Sequence, residues 1–164
     1  MEPAITYRRI EDHDRSWLEN FIEEYWGGKM IVVHGTSYYP YELDGYIAID
    51  NEVKVGLITF IIEDFKCEIV TLDSLVKNRS IGKKLVQLVK NEAKENKCTE
   101  VWLITTNNNL NAIGFYQKVG FQLVEVFPNS VEQSRKIKPG IPLFGDNDIP
   151  IRDELKFSLR LSYE

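Results

Sequence analysis

The sequence predicts an α/β (α+β) chain: a mixed, mostly antiparallel twisted sheet with one central parallel pair and helices on both faces. Three observations carry this. The first half alternates short apolar runs with turn signals, the mark of antiparallel strands. The middle runs strand, helix, strand, helix, strand, and a strand–helix–strand unit joins a parallel pair right-handedly. The helical stretches carry apolar stripes that must be buried against a sheet.

Residues 4–10 read as a first strand. Asp12 or Asp14 caps the next segment, where Trp17, Leu18, Phe21, Ile22, Tyr25 and Trp26 recur at helical spacing and read as core. Gly27-Gly28 ends that helix. Residues 30–34 form a short apolar run that reads as a strand. Residues 35–44, with Tyr38, Tyr39, Pro40 and Tyr41, read as loop. Residues 45–49 and 53–62 are two strands around the Asp50-Asn51 turn signal. The second is apolar on both faces, through Val55, Leu57, Ile58, Phe60, Ile61 and Ile62, so it belongs in the centre.

Residues 68–76 are another strand. Residues 81–96 place Ile81, Leu85, Leu88, Val89 and Ala93 on one helical face and lysines elsewhere. Residues 101–105 read as a strand, 110–119 as a helix closed by Gly120, and 121–127 as a strand. The stretch 128–152 holds Pro139, Gly140, Pro142, Gly145 and Pro150 and reads as irregular. Leu155, Phe157, Leu159 and Leu161 then alternate with polar residues, giving a final half-buried strand.

Composition narrows the function. The chain has 164 residues, which fits a single domain spanning 1–164. Hydrophobic residues at 43% suit a packed core rather than disorder. A net charge of −5 argues against a nucleic-acid partner, whose phosphates demand a basic face. Glu2, Arg8, Arg9, Glu11 and Asp12 leave no room for an apolar leader. The longest aliphatic run, residues 56–62, is far short of the ~20 residues a membrane helix needs. The expectation is a cytoplasmic protein with no membrane segment. Without a secretion signal, Cys67 and Cys98 are expected as reduced thiols. His13 and His34 are the only histidines, and neither has metal-ligand spacing, so no metal is expected. There is no G-x-S-x-G elbow, Walker A sequence or G-x-G-x-x-G.

The chemistry concentrates between Glu68 and Phe121. The strand 68–76 enters a short polar turn, Lys77-Asn78-Arg79-Ser80, and then the helix opening Ile81-Gly82-Lys83-Lys84. Such a junction offers free backbone N–H groups and the positive end of a helix dipole, a combination that binds phosphate. Gly82 permits close approach of a ligand to the backbone. Arg79, Lys83 and Lys84 add mobile positive charge. An ordinary strand–helix turn with a solvated lysine face is the alternative.

Further on, Thr105-Thr106-Asn107-Asn108-Asn109 leads into Asn111-Ala112-Ile113-Gly114-Phe115-Tyr116-Gln117-Lys118-Val119-Gly120-Phe121. This resembles the N-x-x-A-x-x-F-Y-x-x-x-G-F signature of the GNAT superfamily of N-acetyltransferases. The superfamily's acetyl-CoA motif, Q/R-x-x-G-x-G/A, falls upstream at Lys77-Asn78-Arg79-Ser80-Ile81-Gly82. Lys77 stands where the family has Gln or Arg, Ser80 stands where it has Gly, and the turn is shorter than the family's.

The resemblance implies an N-acetyltransferase that moves an acetyl group from acetyl-CoA to a primary amine of a small molecule or peptide. It places the pyrophosphate on the N–H groups from Arg79 to Lys83. It places the pantetheine arm against the end of the preceding strand, near Leu75 and Val76. Asn111 is expected to contact CoA or a bound water. Attack is direct, with no covalent enzyme intermediate. Tyr116 matches the family tyrosine near the CoA sulfur, a general acid whose phenol at a pKa near 10 suits the task unperturbed. Core packing is the other reading of Tyr116.

For the base, the resemblance implies a strand carboxylate acting through water, Glu68 or Asp73, with a solvated surface carboxylate the other reading of each. The two are five apart, so they point to opposite faces unless a bulge intervenes. The acceptor site is expected from residues 35–44 and 128–152, the latter carrying Arg135, Lys136, Lys138, Asp146, Asp148 and Arg152. The expected partners are acetyl-CoA and an amine acceptor, with a homodimer left open. Two rivals stand beside the enzyme reading: a non-catalytic acyl-CoA-binding regulatory module, and a protein-binding domain with a vestigial pocket.

Overall fold

A computed structural model describes residues 4–163. It contains β1 (Thr6–Arg9), α1 (Arg15–Trp26), β2 (Ile31–Val33), β3 (Thr36–Tyr38), β4 (Asp44–Asp50), β5 (Val53–Glu63) and β6 (Lys66–Ser74). These are followed by α2 (Ile81–Glu95), β7 (Glu100–Thr106), α3 (Leu110–Lys118), β8 (Gln122–Phe127), α4 (Val131–Ile137) and β9 (Glu154–Arg160). Seven strands form one sheet in the order β1-β4-β5-β6-β7-β9-β8. Every pairing is antiparallel except β6 with β7, the one parallel pair expected across α2.

The sheet is covered on both faces. On one, Ile58, Phe60, Ile69, Val101, Leu103 and Phe157 pack against Ile81, Leu85, Val89 and Ala93 of α2 and against α3. On the other, Ile47, Leu57 and Val70 meet Leu18, Phe21 and Ile22 of α1 and Ile31 of β2. The two faces meet in β5, where Leu57 and Ile58 are both wholly buried. Each such side chain contributes about 1.5–3 kcal/mol on burial. The stripe of α2 read from its periodicity is therefore the face it buries, and its lysines project outward.

The structure corrects the sequence reading in three places. Residues 36–38 are not loop but β3, which pairs with β2 around His34 and Gly35, both with positive φ (49° and 77°). His-Gly lies outside the Asn-Gly and Asp-Gly pairs that announce such a turn, so the hairpin carries no strong local signal. Residues 131–137, inside the stretch read as irregular, form α4, anchored by the buried Val131 and Ser134. Strand β6 stops at Ser74 rather than 76. The Leu75 N–H still bonds the Val55 carbonyl (2.8 Å), and the chain then departs. Among the described residues no helix is long and apolar enough to cross a membrane, and no cluster of His, Cys, Asp or Glu could hold a metal ion.

Candidate functional site

The parallel pair supplies the site by failing to continue. β6 and β7 are in register only over Lys66–Glu68 with Glu100–Trp102. Beyond Glu68, β6 keeps its partner β5 on one side and loses β7 on the other. The gap opens as a cleft of about 710 Å³. Leu72, Ser74 and Val76 line it from the β6 side, Ser80, Ile81, Gly82 and Lys83 from the start of α2, and Asn111, Phe115 and Tyr116 from α3. An unpaired strand edge offers backbone groups to an extended ligand.

At the start of α2, the first helical bond runs from the Lys84 N–H to the Ser80 carbonyl (3.1 Å). The N–H groups of Ile81, Gly82 and Lys83 precede it and lie outside the helical ladder. Ser80 sits in the left-handed region (φ 56°, ψ 28°), as does Asn78 (φ 63°). That is the conformation glycine adopts most easily, so the backbone keeps the shape of a glycine turn with a serine in it. Gly82 faces Phe115: a Cβ there would lie 3.2 Å from Cζ of that ring. Its bareness lets the α3 aromatic ring close against α2.

Of the residues singled out in the sequence, Val76, Lys77, Ser80, Ile81, Gly82, Lys83, Asn111 and Tyr116 line the cleft. Leu75, Arg79, Glu68 and Asp73 do not. Arg79 reaches instead to Asp50, at the β4–β5 turn, with Nη1 3.5 Å from Oδ2.

The two carboxylates of β6 lie on the same face. Thr59 pairs with Thr71 but Phe60 pairs with Ile69, so Val70 is an extra residue in β6. The bulge reverses the parity: Glu68 stands opposite Ile61 and Asp73 opposite Leu57. Their surroundings differ. Glu68 is buried and accepts a hydrogen bond from the Tyr38 hydroxyl (2.8 Å); burial raises its pKa and Glu63 adds to the rise. Asp73 accepts from the Trp26 indole N–H at both oxygens (3.3 and 3.2 Å). Burial pushes its carboxyl up to about 6, against the opposing pull of that N–H.

Tyr116 is 7% exposed, with its ring edge-on to Phe115 and Phe121. Its hydroxyl finds no hydrogen-bonding side chain or carbonyl among the described residues. Burial, and then the neighbouring Asp73, raise its pKa. The phenol is thus perturbed, not ordinary, and keeps its proton throughout the working pH range. Cys67 and Cys98 are both free and buried, and burial pushes the Cys67 thiol up to about 12.

The two segments expected to shape an acceptor site do meet. Glu154, buried at the start of β9, accepts the His34 backbone N–H (2.8 Å) and lies 3.2 Å from His34 Nδ1. The Gly35 N–H bonds the Ser134 hydroxyl (3.2 Å). Trp26, Tyr38, His34 and Glu154 had no local motif to single them out. Their partners lie 30 to 120 residues away in sequence.

Residues 7–121 match the family model described as the acetyltransferase (GNAT) family. The chain belongs to the GNAT acetyltransferase family. It is 46% identical over 137 residues to the uncharacterized protein YxbD of Bacillus subtilis (strain 168), covering 82% of this chain and 86% of that one. Its fold is similar to that of the IAA acetyltransferase from Bacillus cereus, with a TM-score of 0.70 at 19% identity, over 96% of this chain and 100% of that one. It is also similar to a GNAT acetyltransferase from Elizabethkingia anophelis with acetyl-CoA bound, with a TM-score of 0.66 at 20% identity, over 96% and 98%. In this GNAT chain the segments that carry the family's motifs line the cleft, from Lys77 to Lys83 except Arg79 and from Asn111 to Val119 in part.

Proposed function

We propose that this GNAT protein transfers an acetyl group from acetyl-CoA to a primary amine. The observation that carries the reading is the meeting of three things: the free N–H groups opening α2 and the unpaired edge of β6 at one cleft, and the Asp73–Tyr116 pair, in which Tyr116 lines the cleft and Asp73 stands just outside its lining. The first suits a pyrophosphate and the second an extended pantetheine arm. Lys77 and Lys83, on the same wall, add charge that suits phosphate. The third supplies a carboxylate with a pKa near neutrality beside a protonated phenol.

The chemistry needs no nucleophile from the protein. Asp73 takes the proton from the arriving ammonium, freeing the nitrogen lone pair. The amine nitrogen attacks the thioester carbonyl carbon, the C–N bond forms and the C–S bond breaks. Tyr116 gives its proton to the departing thiolate and regains one from the second N–H of the adduct nitrogen, while Asp73 passes the proton it took from the ammonium to water. A base near pKa 6 is ionised at neutral pH and still basic enough to accept a proton. Glu68, held by Tyr38, stands on the same face of β6 as Asp73.

Thiol release from acetyl-CoA across a panel of primary amines tests the reading. Amine-dependent release supports it. Binding of acetyl-CoA without release by any amine favours the non-catalytic acyl-CoA module, and absence of binding removes both.

A further inference from the structure

We propose that Trp26 is a positioning residue for Asp73 and that Lys138, from the far end of the chain, holds Trp26 in place; this rests on Asp73 being the base.

Trp26 is the last residue of α1, which ends there because Gly27 adopts the left-handed conformation (φ 75°). The last carbonyls of any helix lack intrahelical donors. Here Lys138 Nζ donates to the Trp26 carbonyl at that end (3.2 Å) and to the Met30 carbonyl in the segment that follows (2.8 Å). A cation at a helix C-terminus is also favoured by the dipole. The fit is close, since a Cβ on Gly28 would lie 3.7 Å from both Cε and Nζ of Lys138. Lys138 is itself fixed as the C-cap of α4, its N–H bonding the Ser134 carbonyl (2.8 Å). Arg135 of the same helix ties down the following strap through the carbonyls of Pro142 (2.8 Å) and Ile151 (2.6 Å).

Trp26 is therefore gripped by its backbone on one side and presents its indole N–H to both oxygens of Asp73 on the other. Donation to a carboxylate favours its ionised form and fixes its lone pairs in direction. The other titratable group set against Asp73 is Tyr116 from α3, which stays protonated. Trp26 thus opposes the burial that raises the Asp73 pKa. Lys138 takes no part in this except through Trp26.

The test follows the Asp73 carboxyl carbon by NMR titration of the whole protein, beside the acid limb of kcat/KM. Trp26→Phe should raise the Asp73 titration by about one pH unit, the scale of one hydrogen bond to a carboxylate. Replacing Trp26 with benzothienylalanine, which keeps the bicyclic ring and lacks the N–H, should do the same without disturbing packing. Lys138→Met should shift the titration in the same direction by less, and Lys138→Arg should restore it. The double variant Trp26→Phe/Lys138→Met should titrate as Trp26→Phe alone. An unmoved titration in the benzothienyl protein, or additive shifts in the double variant, overturns the proposal. A titration that moves while the acid limb stays still keeps Trp26 as the residue that positions Asp73 and removes Asp73 as the base.

Discussion

Glu68 and Asp73 share one face of β6 although they are five positions apart, because Val70 is an extra residue between the Ile69–Phe60 and Thr71–Thr59 pairs. The bulge is locked by the Thr59 and Thr71 hydroxyls, 2.6 Å apart and buried. A bulge bends its strand and sharpens its twist. Here the bend falls just past the last residue that β6 shares with β7, where the cleft begins. One inserted residue thus brings both carboxylates to one face of β6 and accompanies the opening of the cleft.

Asp73→Asn should cut kcat by about 10²–10⁴-fold, the usual worth of a general base. It should also stabilise the protein. The Asp73 carboxyl titrates near 6 when folded against an ordinary 3.8, so folding favours its protonated form. That stabilisation is whole below pH 3.8 and is lost as pH rises through 6. Melting curves at pH 7.5 should therefore place Asp73→Asn above the wild type, with the gap closing toward pH 4. The acid limb of the kcat/KM profile should have its midpoint near 6.

Asp14 should behave in the opposite sense. It accepts two bonds from Arg8 (2.7 and 2.9 Å) and one from the Glu11 N–H (2.8 Å). Arg8 foremost lowers its carboxyl to about 2. Its contribution is whole above the ordinary 3.8 and disappears as pH falls through 2. Asp14→Asn should cost about 2 kcal/mol in urea denaturation at pH 7, with acetyl-CoA affinity intact.

Tyr116→Phe should lower kcat by about 10²–10⁴-fold while the melting temperature stays nearly constant. The ring packs on Phe115 and Phe121, and the hydroxyl contributes no bond to the fold. A normal kcat in Tyr116→Phe would leave this residue as packing alone. Acetyl donors with a less basic leaving group should suffer less from the substitution.

Ser80→Gly should stabilise the protein by about 0.5–1 kcal/mol, because glycine occupies the left-handed region without the clash a Cβ brings. Ser80→Val should be markedly destabilising for the same reason. Differential denaturation of the two variants reads the effect directly, and acetyl-CoA affinity should survive Ser80→Gly.

Acetyl-CoA at 100 times its dissociation constant should stabilise the wild type by about 2.7 kcal/mol, read as a rise in melting temperature. Gly82→Val should abolish that rise, with Phe115 as the intermediary: the new side chain drives the ring into the cleft. Gly82→Val combined with Phe115→Ala relieves the clash and should recover part of the shift. Full recovery is not expected, because Phe115 lines the cleft itself. Thermal shift titrations of the three proteins check this.

Much of this was legible without coordinates. The stripe Ile81, Leu85, Val89, Ala93 on α2 repeats at a helical period, and α2 buries it. The Asn51-Glu52 turn, with φ of 48° and 68°, lies one residue from where the turn signal was read. The turn and helix start at 77–83 could be singled out because a strand-to-helix junction has free N–H groups wherever it occurs, and Lys77, Ser80, Ile81, Gly82 and Lys83 of it line the cleft. The hairpin at His34-Gly35 and helix α4 were missed. The one lacks a usual turn pair, and the other is a short helix whose stability comes from buried Val131 and Ser134 rather than from propensity.

The sequence by itself determined most of the elements, their order, the parallel crossover and the strand-to-helix turn before α2, because each is written in residues close together along the chain. Tertiary structure alone decided the rest. Parity along β6 was undecidable until the pairing with β5 showed the bulge at Val70. Arg79, in the middle of the motif, is drawn to Asp50 by a charge 29 positions back. The pKa values of Asp73 and Tyr116 depend on how much water the packed elements exclude, which no stretch of sequence states. Trp26 meets Asp73 across 47 positions and Lys138 across 112. Periodicity tells which face an element buries, but the side chain that arrives on that face comes from wherever the fold brings another segment.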